Sequence, residues 1–312
     1  MEHVPLGTTS LKVSRVGLGT VELGLPYEIG LPDPPEDAEC IRLLRAAHDA
    51  GITFIDTAAA YGRSEQLVGR AFAGVADKPV IATKVGLKVG KEDAGPLKGD
   101  DLSRHLEASV AASLKALAVE RLDLLQIHSV DEGDFSDELL ESMSSLQERG
   151  LVRYWGGSTY GEVAPFTVLG YPELFRTLQV AYNLLDRRMG ERVLPRCSEV
   201  GVGRILRSVF LKGVLSDRVH HLPDRLDRLR DVALEAGKIA IGLGISLPEL
   251  ALRFAVFSVH ADVTIFGTAS VKEVVANLQT VADGPLPDDA LDALDGLQIT
   301  DATLLNPSTW GF

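Results

Sequence analysis

Leu122-Asp123-Leu124-Leu125-Gln126-Ile127 is followed by a helix-length pattern from Asp137 to Arg149 and then by Val152-Arg153-Tyr154-Trp155. A short apolar run, an amphipathic stretch and a second short apolar run read as strand, helix and strand, the unit of a parallel sheet. The unit recurs in both directions. Upstream lie Val16-Gly17-Leu18-Gly19, Thr53-Phe54-Ile55 and Pro79-Val80-Ile81-Ala82; downstream lie Thr177-Leu178-Gln179-Val180, Arg204-Ile205-Leu206 and Val263-Thr264-Ile265-Phe266. Helix-length segments such as Asp101 to Leu117 and Arg225 to Gly242 separate most of them. The helix after the first run is bracketed by Pro34, Pro35 and Asp37 at its start and Gly51 at its end. Its positions Ile41, Leu44 and His48 fall at helical spacing.

Eight such runs fit a closed (β/α)8 TIM barrel better than an open sheet. A doubly wound dinucleotide fold opens on a glycine-rich phosphate loop. Here Gly17-Leu18-Gly19-Thr20-Val21-Glu22 lacks the third glycine, and Gly242 and Gly244 fall at a helix end. Pro5 to Val13 reads as an N-terminal hairpin, Gly284 to Leu297 as one extra helix, and Ile299 to Phe312 as a tail. No linker or low-complexity segment divides the chain, so residues 1–312 are expected to form a single domain.

The chain has 312 residues, with 44 acidic against 31 basic side chains and a net charge of −13. That balance argues against nucleic acid and anionic membrane surfaces as partners. No apolar run approaches the roughly 18 residues of a membrane span, and Met1 to Pro5 carries neither a basic nor an apolar region. A cytoplasmic location is therefore expected. Cys40 and Cys197 are too few for a disulfide scaffold or a thiolate metal site. His220-His221 has no third ligand at suitable spacing, so no metal is expected.

In a barrel, chemistry collects at the carboxyl ends of the strands. There the sequence places Asp56, Tyr61 five residues later, Lys84 after Thr83, and His128 after Ile127. Singly, these residues suit a helix cap, a packing ring, a solvated charge and a core histidine. Their convergence on one rim is what points to catalysis.

Gly51-Ile52-Thr53-Phe54-Ile55-Asp56-Thr57-Ala58-Ala59-Ala60-Tyr61-Gly62-Arg63-Ser64-Glu65 resembles the signature of the aldo-keto reductase family. Thr83-Lys84 and His128 resemble the rest of its Asp-Tyr-Lys-His tetrad, and the likeness runs from Leu6-Gly7 to Asn277. It implies a nicotinamide-dependent oxidoreductase acting on an aldehyde, ketone or sugar carbonyl, with Tyr61 as proton donor. A free tyrosine is a weak acid at neutral pH. A Lys84 ammonium held by Asp56 is expected to lower its pKa. The same charge should keep His128 neutral as it orients the carbonyl.

The resemblance also implies a cofactor site. Ser158-Thr159 stands where the family has a Ser-Asn pair, and Gln179 where a glutamine holds the carboxamide. Arg207 falls where a planar group stacks on the nicotinamide. Ser208, Leu211 and Gly213, with Lys212 between them, fall where relatives hold the pyrophosphate. Gly19, Thr20, Gly267 and Thr268 complete the expected cofactor contacts, and Asp56 counts among them. NADPH-preferring relatives place an arginine four residues before the position of Asn277; here it is Glu273. The resemblance thus implies NADP(H), whereas a carboxylate at that position favours the free ribose hydroxyl of NAD(H).

The loop Leu23 to Gly30, together with Arg207 to Gly213, resembles a bacterial, sugar-aldehyde- or aldose-dehydrogenase-like subgroup of the family often associated with polysaccharide genes. Tyr27, Trp155, Phe210 and Trp310, with Phe312, are the aromatic candidates for a substrate wall. Two other readings compete. One is a binding module like the potassium-channel β subunits, which share fold and cofactor. The other is a lyase using Lys84 as a Schiff base, disfavoured if Asp56 keeps the amine protonated.

Overall fold

The computed structural model describes residues 1–27, 29–30, 33–88, 97–259 and 261–311. Two short strands, β1 (His3–Pro5) and β2 (Lys12–Ser14), pair antiparallel as the expected hairpin. Eight parallel strands then close a barrel. They are β3 (Val16–Gly19), β4 (Phe54–Asp56), β5 (Val80–Val85), β6 (Leu122–Ile127), β7 (Val152–Ser158), β8 (Phe175–Ala181), β9 (Gly203–Arg207) and β10 (Val263–Gly267). Each pairs with its sequence neighbour and β10 returns to β3. All eight lie on the expected runs, and most extend beyond them. Strand β5 carries on through Thr83 and Lys84, and β7 through Gly156, Gly157 and Ser158.

The described helices are α1 (Val21–Gly24), α2 (Asp37–Asp49), α3 (Ser64–Ala71), α4 (Gly99–Leu117), α5 (Asp137–Glu148), α6 (Ala164–Val168), α7 (Arg188–Glu191), α8 (Val193–Val200), α9 (Asp227–Gly242), α10 (Leu247–Phe257), α11 (Val271–Ala282), α12 (Asp288–Leu294) and α13 (Ala302–Leu305). The expected C-terminal helix is shorter than its sequence pattern: α12 begins after Pro287, and a tight turn at Asp295–Leu297 follows. In α2 the buried stripe is Cys40, Leu43, Leu44 and Ala47; Ile41 and His48 lie at its edge. Among the described residues, no single helix is long and apolar enough to cross a membrane.

Two apolar layers follow from the period of a strand. Phe54, Ala82, Leu124, Ile205, Val263 and Ile265 fill the barrel interior against Leu6, Leu11 and Val13, so the hairpin plugs the amino end. The larger outer layer lies between strands and helices. Side chains alternate between faces along a strand. Two residues beyond the inner apolar layer, the inward positions are Asp56, Lys84, Gln126, Arg207 and Gly267. The hydrophobic floor therefore gives way to a polar layer at the carboxyl end.

Candidate active site

That polar layer is tied together by hydrogen bonds. Lys84 Nζ donates to Asp56 Oδ2 at 2.6 Å, to the Thr57 carbonyl at 3.0 Å and to the Tyr61 hydroxyl at 3.4 Å. Lys84 is 1% exposed and Asp56 5%. The other carboxylate oxygen, Oδ1, accepts from Gln179 Nε2 at 2.8 Å and from Gln126 Nε2 at 3.3 Å. Ser158 Oγ reaches Gln179 Oε1 at 3.4 Å. The His128 ring stands edge-on to Tyr61, with ring centres 5.8 Å apart.

Burial sets the acid-base character here. His128 is pushed down from 6.5 to about 3, first by burial and then by the charges of Lys84 and Arg207. It is neutral at physiological pH, as expected, though burial outweighs Lys84 as the cause. Tyr61 departs from expectation. Its hydroxyl is pushed above the usual phenol value, by burial first and by the Asp56 charge second, with Arg207 opposing. The expected lowering fails because the ring is desolvated and the Lys84 charge is already matched by Asp56. Burial also lowers Lys84, against the opposing pull of Asp56.

Asp56, Tyr61 and His128 line a cavity of about 730 Å3 that also takes in Gly19, Thr20, Ser158 and Gln179. On its far side are Tyr27, Arg207, Ser208, Phe210, Leu211, Lys212 and Gly267. A second cavity adjoins it through Phe210 and Gly267 and contains Glu273 and Asn277. The Glu273 carboxylate accepts from the Thr268 hydroxyl and lies 3.9 Å from Arg218. Gly213 closes the turn Leu211–Gly213, in which Leu211 and Lys212 adopt positive φ, as does nearby Ser208. Such backbone is strained for residues other than glycine, and clustered strain marks ligand-binding loops. Asn183 helps hold it, donating to the Ser208 carbonyl at 3.0 Å.

Two expected substrate residues lie elsewhere. Trp155 is fully buried and donates from Nε1 to the Met143 carbonyl of α5 at 2.9 Å. It belongs to the outward set of β7, and its neighbour Tyr154 packs against the interior cluster instead. Trp310 is 3% exposed in the outer apolar layer, where Arg225 bonds its backbone carbonyl. Phe312 and Glu28 lie outside the described residues. Tyr27 and Phe210 do line the cavity, with Lys212 Nζ 5.5 Å from the centre of the Tyr27 ring.

Four residues went unread in the sequence. Gln126 braces Asp56, and counting two residues on from Leu124 would have placed it inward. Tyr160 lies under the Arg207 guanidinium, 4.2 Å from its ring centre. Arg218 pairs with Glu273, and Glu22 is buried in the first cavity. No sequence pattern marks the last two, because their neighbours in space are far apart in sequence.

The family profile of the aldo/keto reductase family matches residues 15–299. The chain belongs to the aldo/keto reductase family. It is 30% identical to the aldo-keto reductase YhdN of Bacillus subtilis (strain 168), over 86% of this chain and 85% of that protein. Among solved structures it resembles the holo form of aldo-keto reductase AKR11C1 from Bacillus halodurans. The TM-score is 0.76 at 27% identity, covering 95% and 96% of the two chains. It also resembles the glycerol dehydrogenase AKR11B4 from Gluconobacter oxydans, with a TM-score of 0.75 at 25% identity, covering 95% and 94%. Aldo/keto reductases are oxidoreductases that use nicotinamide dinucleotides and act on small carbonyl compounds.

The residues present suit such a cofactor. The Ser158 hydroxyl and Gln179 amide stand together, and Thr159 Oγ1 is buried without a partner. A carboxamide, with one acceptor and two N–H donors, complements that set.

Proposed function

We propose that this protein, as a single-domain enzyme, interconverts an aldehyde, ketone or sugar carbonyl and its alcohol with a nicotinamide dinucleotide. The observation that carries the reading is the hydrogen-bonded chain Asp56–Lys84–Tyr61, its ion pair buried, beside a neutral His128. When bound, the nicotinamide supplies or accepts the hydride. In reduction, negative charge grows on the carbonyl oxygen, which needs a proton and an oriented donor. Tyr61 gives its hydroxyl proton to that oxygen. Its raised pKa keeps the proton in place until the oxyanion draws it off. Lys84, 3.4 Å from the hydroxyl, stabilises the phenolate left behind. His128 holds the carbonyl by a hydrogen bond from its neutral ring.

Lys84 spends its N–H groups on three oxygens, which suits an ammonium and not a Schiff-base nucleophile. Ser158, Thr159 and Gln179 take the carboxamide, and Arg207 offers a planar face beside them. The likeness to a glycerol dehydrogenase supports a small polyhydroxy substrate, with Tyr27 and Phe210 as its apolar walls. Glu273, already paired with Thr268 and Arg218, supports NAD(H) over NADP(H). The test is to titrate the protein with NADH and NADPH by fluorescence, then screen aldehydes, aldoses and polyols for cofactor turnover. Tight binding with turnover supports the reading. Absence of binding to either dinucleotide refutes it.

A further inference from the structure

Glu22 lies in α1, the turn after β3, and only 6% of it is exposed. Its carboxylate nevertheless faces the cavity that holds Asp56 and Tyr61, and its Oε2 has no hydrogen-bond partner. It presses on Gly267 so closely that a Cβ there would collide with the carboxylate. Gly267 and Phe210 are the residues common to both cavities, so Glu22 stands at their junction.

The charged groups around it come from three other elements. Arg218 comes from the turn Asp217–His221, Glu273 from α11 and Asp56 from β4. The phenols of Tyr27 and Tyr61 also share its surroundings, both pushed up by burial and so uncharged. Two carboxylates and one guanidinium, itself facing Glu273, leave Glu22 poorly compensated. Burial pushes its pKa from 4.5 to about 7, against the pull of its own backbone N–H and of Arg218.

A dinucleotide that spans both cavities must pass this junction, and it carries a diphosphate between its two ends. An ionised Glu22 would repel that diphosphate, whereas a carboxylic acid can donate to a phosphate oxygen. We propose that Glu22 is a binding residue that meets the cofactor's diphosphate as a neutral acid, so that dinucleotide binding takes up one proton from solvent onto the Glu22 carboxylate. This rests on the nicotinamide reading above.

The test is calorimetric titration of the full chain with NADH, in paired buffers of different ionisation enthalpy, from pH 7 to 9. NADH has no group of its own that titrates there. At pH 8 uptake should be about half a proton or more per NADH, with Kd weakening by up to roughly tenfold per pH unit above neutrality. ADP-ribose, which keeps the diphosphate without the nicotinamide, should give the same uptake. Glu22→Gln should bind NADH with no uptake and a flat pH profile. If that variant does not fold, infrared difference spectra of wild-type protein at pH 8 replace it. ADP-ribose should then bring up a protonated-carboxyl band. Tight NADH binding without proton uptake, or with equal uptake in Glu22→Gln, or no such band, overturns the Glu22 proposal and leaves the nicotinamide reading standing. Failure of the wild-type protein to bind any dinucleotide at any pH overturns both.

Discussion

Gln179 donates its side-chain amide to one oxygen of Asp56 at 2.8 Å, while Lys84 holds the other at 2.6 Å. The residue proposed to receive the cofactor's carboxamide is thus bonded to the residue that orients the proposed proton donor's partner. The proposed cofactor site and the proposed catalytic residues share one largely buried network around Asp56, and such networks fail steeply when one member is removed.

Lys84→Met should therefore cost more than activity. It leaves Asp56 buried without its counter-charge, and breaking a buried pair typically costs about 3–5 kcal/mol. Denaturant unfolding should show a loss of that order, together with a large fall in kcat. A variant as stable as wild type would mean that the pair contributes nothing to the fold.

His128 should make the protein acid-sensitive. Its pKa is about 3 in the folded chain against 6.5 when free. Between those values the unfolded chain binds the extra proton, so its contribution is intact above 6.5 and lost as pH falls toward 3. The slope is at most about 1.4 kcal/mol per pH unit. Glu22 runs the opposite way: raised from 4.5 to about 7, it contributes below 4.5 and loses that contribution as pH rises toward 7. The His128 part is read as the difference between wild type and His128→Gln, which should widen with pH from 4 to 6.5. A constant difference would show that His128 titrates normally.

Glu273→Arg should move cofactor preference toward NADPH by roughly tenfold, about 1.4 kcal/mol. An arginine there can grip the 2′-phosphate that the carboxylate repels. The ratio of the two dissociation constants in both proteins is the measurement. A wild-type ratio strongly favouring NADPH and unchanged by the substitution would place the phosphate away from α11.

The strand order and barrel closure were legible because eight short apolar runs alternate with helix-length patterns. Asp56, Tyr61, Lys84 and His128 stood out because each sits at or just past a strand end, and hydrogen bonds and a ring contact bring the four together. The errors have a common cause. Trp155 and Tyr154 are adjacent on β7 and face opposite sides, and an aromatic run alone does not say which points inward. Counting in twos from the interior apolar layer does. Arg218, Glu22 and the tail around Trp310 take their places from contacts far apart in sequence, which no local pattern encodes. The direction of the Tyr61 shift also depended on burial, which becomes visible only in three dimensions.

The placement of Trp155 has its own consequence. Trp155→Phe should lose the bond to the Met143 carbonyl and destabilise the protein by about 1 kcal/mol or somewhat more. It should leave KM and kcat for any carbonyl substrate near wild type. A substrate-dependent change in KM would return the indole to the cavity wall.

Tyr61→Phe tests the central claim most directly, because it deletes one hydroxyl and leaves the ring packed against His128. General acid catalysis contributes about 10²–10⁴-fold. Single-turnover reduction of an accepted aldehyde should slow by at least about 10²-fold in that variant, with the Kd for NADH within a factor of about two of wild type. A near-normal rate of hydride transfer with cofactor bound would contradict Tyr61 as the proton donor.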